Sequence, residues 1–223
     1  QTAAVIYVYT RRTMNLSLSL AETVEIAHAH DVPVIVDAAA EVPPAPNLRG
    51  LKDTGADVVV ISGGKGLRGP QNSALVLCSE SLAESCIPHA APMHSHGRSM
   101  KTTKEDIIGL LKAVEIYTGL DHDEITRCWQ QEAGSVIAAV EGTDGIRATV
   151  AEAGYSDGIP VAELQIDSQR LGRSAEDVVA HLAAGDPIIR VGHDRDSITI
   201  NPQFLQTGEM EMVISRLHQA LSA

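Results

Sequence analysis

Lys65 follows an apolar run of the sequence, inside a bend that is rich in glycine. Residues 58–61 are four β-branched residues in succession, and such a run predicts a strand covered on both faces, as in a parallel sheet. A lysine at the carboxyl end of such a strand lies at the crevice where open α/β sheets bind ligands. The glycines of the bend allow a sharp turn and a close approach of the backbone to another group; they are Gly63, Gly64, Gly66 and Gly69.

Two kinds of site use a lysine in this position. A nucleotide-binding phosphate loop needs Ser or Thr directly after the lysine to hold magnesium, but Gly66 follows Lys65, so this kind of site is excluded. The second kind is a lysine that forms a Schiff base with pyridoxal phosphate (PLP), which also needs an acid for the pyridinium nitrogen. Asp37 supplies that acid, because it closes the apolar run 34–36. Taken alone, Lys65 is better interpreted as a solvated loop residue and Asp37 as a turn residue. The two together favour a PLP site.

Several stretches of the sequence together resemble one family. The resemblance is most specific in the middle third of the chain; the stretches are residues 34–44, 55–57, 62–71, 97–101, 104–111 and 186–191. They are similar to fold-type-I PLP-dependent enzymes related to selenocysteine synthase (L-seryl-tRNA(Sec) selenium transferase) and D-glucosaminate-6-phosphate ammonia-lyase. The resemblance implies an enzyme with PLP as cofactor, a small-molecule amino acid substrate and a homo-oligomeric assembly of dimers or higher order.

The resemblance also implies roles for individual residues. Lys65 and Asp37 are the expected catalytic and cofactor-binding pair, and Ser62 and Arg68 are expected to contact the cofactor phosphate. The substrate-binding candidates are two arginines. Arg190 follows an apolar pair in the last third of the chain, where its planar fork suits a carboxylate, and Arg98 lies with Lys101 in a loop that could meet an anionic group.

The expected fold class is α/β: a fold-type-I large domain with a mostly parallel sheet, its N-terminal part missing, followed by a small α+β domain. Residues 1–118 are predicted to form the C-terminal part of the PLP-binding domain, and residues 119–223 the small domain. The family carries a phosphate-binding helix N-terminus and a ring-stacking residue before the point that matches residue 1. The chain is therefore expected to be a C-terminal portion that binds PLP poorly by itself.

Composition and charge exclude several other classes of protein. The net charge of −12 argues against a nucleic-acid partner. No apolar run is long enough for a membrane span. Three cysteines without metal-type spacing favour a reducing compartment, so we expect a cytoplasmic protein. His94 and His96 have a spacing that a metal pair could use, but no third ligand lies near them in sequence, so no metal is predicted.

Local signals predict the elements that hold these residues. Ser19 to Glu22 has the pattern of a capping box that opens a helix to about residue 30, and a second box is predicted at residues 102–105. Asn47 is predicted to cap a short helix. Further helices are expected over residues 121–141, 174–185 and 208–221. Strands are expected at residues 1–9, 33–37, 58–61, 73–77, 146–150, 161–166, 187–191 and 197–200.

The candidate site residues and the family resemblance together predict a lyase of the α,β-elimination or ammonia-lyase type that acts on an amino acid or amino sugar acid. Removal of the Cα proton begins several reactions, so β-replacement of the selenium transferase type and transamination stay open as alternatives. A non-catalytic fragment or paralogue that keeps the fold and the lysine is the second alternative.

Overall fold

The computed structural model describes residues 2–10, 13, 17–152 and 158–222. Contacts between residues divide these into two compact units, with the boundary between Leu120 and Asp121. Each unit has its own four-stranded sheet and its own hydrophobic core. No helix within the described ranges is long and apolar enough to cross a membrane.

The first unit contains a sheet of strand order β1-β2-β3-β4. The strands are β1 (Val5–Val8), β2 (Val34–Asp37), β3 (Val58–Ser62) and β4 (Ala74–Cys78). The first three strands are parallel, as predicted, and β4 is antiparallel to β3. Only residues 63–73 join β3 to β4, which is too short for the crossover that a parallel partner needs. The bend that carries Lys65 is therefore the connection of an antiparallel pair.

The described residues of the first unit form four α-helices, of which all but the second begin at a side-chain cap; they are α1 (Leu20–His28), α2 (Asn47–Asp53), α3 (Glu80–Cys86) and α4 (Lys104–Thr118). The predicted capping box of α1 is confirmed, because the Ser19 hydroxyl accepts from the Glu22 N–H and the Glu22 carboxylate accepts from the Ser19 N–H. The second box lies one residue later than predicted, at Thr103 and Asp106.

Asn47 does not cap α2, contrary to the sequence-based expectation. Pro46 holds the N-cap position of this helix. The Asn47 side-chain amide instead donates to the Glu41 carbonyl at 2.8 Å. This hydrogen bond ties the start of α2 to the loop that follows Asp37, so the side chain serves the loop and not the helix terminus.

The described residues of the second unit form an antiparallel sheet of order β5-β6-β8-β7 and four helices. Its strands are β5 (Ile146–Glu152), β6 (Pro160–Ile166), β7 (Gly192–Asp194) and β8 (Ser197–Ile200). Its helices are α5 (His122–Val140), α6 (Ser168–Leu171), α7 (Ala175–Ala184) and α8 (Glu209–Ser222). The α+β character and the antiparallel pairing match the sequence-based expectation for this half of the chain.

The strand predicted at residues 187–191 is wrong. No ladder includes these residues, and the strand β7 begins only at Gly192. The Ile189 N–H donates to the Leu182 carbonyl at 3.0 Å, near the end of α7. The segment is thus held by a helix terminus, which leaves Ile188 and Arg190 exposed while Ile189 and Val191 pack against the core.

Candidate active site

The site begins where β2 and β3 end beside each other. In the parallel register Asp37 is the partner of Val60. The hydrogen bonds continue past the strands, because the Ala38 N–H donates to the Val60 carbonyl at 2.9 Å and the Ser62 N–H donates to the Ala39 carbonyl at 3.4 Å. The loop after Asp37 and the first residue of the lysine bend are therefore neighbours at the carboxyl edge of the sheet.

Asp37 and Ser62 present their side chains on the same face of the sheet. Ser62 follows two residues after Val60, the strand partner of Asp37, and side chains two residues apart share a face. Asp37 is exposed, and its Oδ1 accepts from the Ala39 N–H at 3.1 Å. Its Oδ2 has no hydrogen-bond partner among the described residues, so one carboxylate oxygen is held in place and the other can accept from a ligand.

The lysine bend is closed by hydrogen bonds of its own backbone. The Gly69 N–H donates to the Gly63 carbonyl at 2.7 Å, and the Arg68 N–H donates to the Lys65 carbonyl at 2.9 Å. The Gln71 amide donates to the Gly64 carbonyl at 2.8 Å. Lys65 is exposed at the tip of this closed bend, and its amine has no hydrogen bond or ion pair with another described residue.

Gly66 joins the bend to the loop that follows Asp37. A Cβ atom at this position would overlap the Val42 carbonyl oxygen, so only glycine permits this approach of the two backbones. The contact places the residue after Lys65 against the chain that leaves Asp37. Sequence reasoning treated Gly66 as one of several bend glycines, because a partner 24 positions earlier leaves no local signal.

The remaining cofactor candidates lie on either side of Lys65. Ser62 is half-buried at the end of β3, and its hydroxyl can turn toward a ligand at the sheet edge. Arg68 is exposed and has a φ of 55°, a left-handed conformation that side chains other than glycine seldom adopt. The hydrogen bond between the Arg68 N–H and Lys65 holds this conformation within the bend.

Arg98 lies in the first unit in the loop between α3 and α4. Its N–H donates to the Ser95 carbonyl at 3.1 Å, and its guanidinium is exposed. In the same loop the His89 and His96 rings lie 5.9 Å apart, centroid to centroid, and His89 Nδ1 lies 2.8 Å from the Ser95 hydroxyl. Over the described part of the chain, no three histidine, cysteine or acidic side chains are grouped so that they could hold a metal ion.

Arg190 lies in the second unit and lines a cleft there. The other walls of this cleft come from the end of β8, the turn after it and the first turns of α8. The Arg190 guanidinium is exposed and makes no ion pair or hydrogen bond with the described residues around it. The side chain is thus available to an anionic ligand.

The two sheets define the class of protein. The chain is an α/β protein with a mixed sheet and an antiparallel sheet, and its structural neighbours are PLP-dependent enzymes of fold type I. One of them, an archaeal O-phosphoseryl-tRNA(Sec) selenium transferase, has a TM-score of 0.61 over 97% of this chain and 51% of its own, at 15% identity. At that identity the likeness shows the fold alone.

Two curated relatives carry the comparison further. The D-glucosaminate-6-phosphate ammonia lyase of Salmonella typhimurium (strain 14028s / SGSC 2262) is 29% identical over 98% of this chain and 57% of its own length. A solved structure of D-glucosaminate-6-phosphate ammonia-lyase has a TM-score of 0.73 at 27% identity, over 99% of this chain and 58% of its own. The 5'-C-glycyluridine monooxygenase-decarboxylase of a Streptomyces species is 30% identical over 99% of this chain and 55% of its own length.

These comparisons confirm the family resemblance that the sequence motifs predict. The chain spans a little over half the length of the curated relatives it matches. No protein-family model matches the chain.

Proposed function

We propose that this chain forms part of a PLP-dependent enzyme in which Lys65 holds the cofactor and Asp37 faces its ring nitrogen. The observation that carries the proposal is the junction of β2 and β3, where the loop after Asp37 and the start of the lysine bend are hydrogen-bonded neighbours. The approach of Gly66 to Val42 supports it, because it brings the two loops together again beyond the strands.

The available groups fit PLP. Asp37 has one carboxylate oxygen without a described partner, which suits a protonated ring nitrogen, and Lys65 has an exposed amine for the aldehyde. Ser62 and Arg68 flank the lysine and can supply a hydrogen bond and a positive charge to the phosphate. When bound, PLP supplies an electron sink for the negative charge that develops at Cα of the substrate.

The chain's own residues then bind the substrate and move protons. With its amine free, Lys65 would take the proton from Cα of the substrate and so act as the general base. Asp37 keeps the ring nitrogen protonated. Arg190 and Arg98 bind anionic groups of the substrate, and for Arg190 the proposal is supported by its unpaired guanidinium in a cleft.

The reaction that we propose is a lyase reaction on an amino acid or amino sugar acid with a hydroxyl group on Cβ. Loss of the Cα proton and of the hydroxyl as water, followed by hydrolysis, releases ammonia and leaves a 2-oxo acid. The 29% identical ammonia lyase supports this choice. We further propose that the two units are the large and small domains of the fold, that the protein is cytoplasmic and that it works as a homo-oligomer.

The test of the cofactor proposal is covalent labelling of the purified full-length enzyme of which this chain forms part. With PLP present, we expect a visible absorbance band that disappears on borohydride reduction, with the added mass on the peptide that contains Lys65. Lys65→Ala should lose the label and reduce turnover by about 10²-fold or more, because it removes the general base. Lys112→Ala removes an exposed lysine of α4 in the same unit and should change neither.

Two outcomes would contradict the proposal. Label on another lysine, or an unchanged band in Lys65→Ala, would overturn the cofactor assignment.

The type of reaction is determined separately, from its products. Ammonia and a 2-oxo acid formed without a second substrate indicate a lyase. A requirement for an amino acceptor would indicate transamination, and consumption of oxygen with loss of CO₂ would indicate a reaction like that named for the Streptomyces relative.

A further inference from the structure

One glutamine side chain holds the backbone directly before Lys65. The Gln71 amide Nε2 donates to the Gly64 carbonyl at 2.8 Å. A carbonyl oxygen only accepts hydrogen bonds, so the donating nitrogen of the Gln71 amide is the atom that faces it. Because a peptide bond is planar, the Gly64 carbonyl and the Lys65 N–H belong to one rigid unit. The hydrogen bond from Gln71 therefore fixes the orientation of the peptide plane through which the chain enters Lys65.

The peptide plane after Lys65 is fixed by the backbone of the bend. The Lys65 carbonyl accepts from the Arg68 N–H at 2.9 Å. The two peptide planes on either side of a Cα atom together set the direction of its Cα–Cβ bond. The Lys65 side chain is exposed and makes no hydrogen bond with another described residue, so its direction depends on these two planes. Of the two groups that hold them, only the Gln71 amide belongs to a side chain.

The position of Gln71 is itself fixed by the antiparallel pair β3 and β4. The hydroxyl of the buried Ser73 donates to the Pro70 carbonyl at 2.7 Å, and this carbonyl belongs to the peptide plane that enters Gln71. The Ser73 carbonyl accepts from the Gly63 N–H at 2.9 Å, which joins the start of β4 to the end of β3. A Cβ atom at Gly64 would lie 2.7 Å from the Gln71 Cα atom, so glycine permits this approach of the two backbones.

We infer that Gln71 is a positioning residue for Lys65, whose peptide plane it holds so that the lysine side chain leaves the bend in one direction. The inference deepens the proposed function and rests on it for the cofactor that Lys65 holds. Lysine has a flexible four-carbon stem, so a change in the direction of its Cα–Cβ bond displaces the amine from the aldehyde that it must meet. The competing role is a direct contact with a ligand, because Gln71 Oε1 makes no hydrogen bond with another described residue.

The experiment uses the full-length enzyme of which this chain forms part, freed of cofactor and titrated with PLP. The label on the Lys65 peptide is quantified by mass after borohydride reduction. Gln71→Met replaces the amide by an apolar group of similar shape. We expect the PLP concentration for half-maximal label to rise by about fivefold, which corresponds to one hydrogen bond between neutral groups. Asn72→Leu is the matched control and should leave this concentration unchanged, because Asn72 is exposed and its amide makes no hydrogen bond with another described residue.

Gln71→Glu distinguishes positioning from direct contact with a ligand. The glutamate keeps the size and an acceptor oxygen, but it places a carboxylate oxygen against the Gly64 carbonyl oxygen with no donor between them. We expect a rise in the half-maximal PLP concentration at least as large as in Gln71→Met. Normal labelling in Gln71→Glu together with weak labelling in Gln71→Met would assign the glutamine oxygen to a ligand contact and overturn the positioning role. Normal labelling in Gln71→Met would overturn it as well.

Two measurements on the PLP-free enzyme separate this inference from a loss of stability and from the proposed function. The melting temperature of Gln71→Met should match that of Asn72→Leu, because Gln71 is exposed; a fall of several degrees below it would attribute weak labelling to unfolding and overturn the inference. Amide hydrogen exchange over residues 64–69 should be about fivefold faster in Gln71→Met alone. If exchange changes in this way but Lys65 of the unmodified enzyme carries no label, the proposed function fails and the hold of Gln71 on the bend stands. If Lys65 is labelled equally in both variants, only this inference fails.

Discussion

The outer faces of the two sheets have opposite chemistry. In each unit one face of the sheet is buried under helices of the same unit, with Val36 in the first and Leu164 in the second at 0% exposure. The opposite face of the second sheet carries the polar residues Glu163, Gln165, Ser197 and Thr199, with the buried Val161 at one end. The opposite face of the first sheet is apolar and carries Ile6, Val8, Ile35, Val58, Val60 and Val76.

The two sheets also differ in role. The second sheet supports the fold of its own unit, whereas the first sheet carries the candidate site. Alternation of apolar and polar residues is typical of an antiparallel sheet with one face in water, and residues 162–166 of β6 and all of β8 follow it. The apolar outer face of the first sheet is left open by the described residues, with Ile6 at 71% exposure. Asp37 and Ser62 lie at the carboxyl edge of this same face, so the candidate chemistry adjoins the apolar surface.

The largest expected effect is on the free energy of unfolding, and it distinguishes the inner face of the second sheet from the outer face of the first. Ile198→Ala removes a side chain that is 0% exposed on the inner face of the second sheet, and we expect a loss of about 2–5 kcal/mol in the free energy of unfolding. Ile6→Ala removes a side chain that is 71% exposed, and we expect a change within about 0.5 kcal/mol. Urea denaturation of both variants measures the difference. A loss of several kcal/mol in Ile6→Ala would show that this face is covered in solution.

An intermediate effect is expected from Gly66→Ala at the edge of the first sheet. The added methyl group would overlap the Val42 carbonyl oxygen, so the lysine bend and the loop after Asp37 must move apart. We expect a loss of about 1–3 kcal/mol in the free energy of unfolding, measured by urea denaturation, together with loss of the PLP absorbance band.

The matched control for this variant is Gly50→Ala. Gly50 lies within α2 of the same unit, and a Cβ atom added there would meet no neighbouring atom within 4 Å. Alanine is favoured over glycine inside a helix, so stability should rise by about 0.5–1 kcal/mol and PLP binding should not change. Unchanged stability and PLP binding in Gly66→Ala would contradict the close approach of the two loops.

Sequence patterns were sufficient where the cause of a structure is local. Each of the predicted elements β1, α1, β2 and β3 depends on residues within a few positions of one another, as does the capping box at Ser19. These local patterns predicted the strands that end at Asp37 and Ser62, and so the elements that hold the candidate site.

Three departures from prediction depend on a group that lies outside the local pattern. Asn47 donates to Glu41 and so does not cap its helix, and the segment that contains Ile189 is held by α7 and so is not a strand. The run at residues 58–61 predicted a strand covered on both faces, whereas the described residues bury only Val59 and Ile61 on one of them. Such patterns give the preference of a residue for burial, but they do not identify the group that covers it.

The smallest expected effect is on the pH dependence of stability, and it concerns one acidic residue beside α1 and one at the start of α7. In the first unit Asp57 Oδ2 lies 3.0 Å from His28 Nε2, at the end of α1, and accepts from the Val34 N–H at 2.7 Å. Burial of the Asp57 carboxyl opposes its ionisation, but these hydrogen bonds and the nearby positive charges outweigh burial and lower its pKa. In the second unit, hydrogen bonds from Ser174 lower the pKa of Asp177, which only caps α7.

A lowered carboxyl pKa gives a definite sign for the effect of pH. The stability contributed by Asp57 is present above the pKa of the unfolded carboxyl, about 3.9, and is lost as the pH falls through the lower folded pKa. We expect Asp57→Asn to lower the melting temperature at neutral pH by an amount equivalent to about 1 kcal/mol or less, and to lose less stability than the unmodified chain as the pH is lowered toward 3. Asp53→Asn changes an exposed neighbouring acid and should leave the pH profile unaltered. If Asp57→Asn and the unmodified chain lose stability in parallel with falling pH, the carboxylate does not link α1 to β2 in solution.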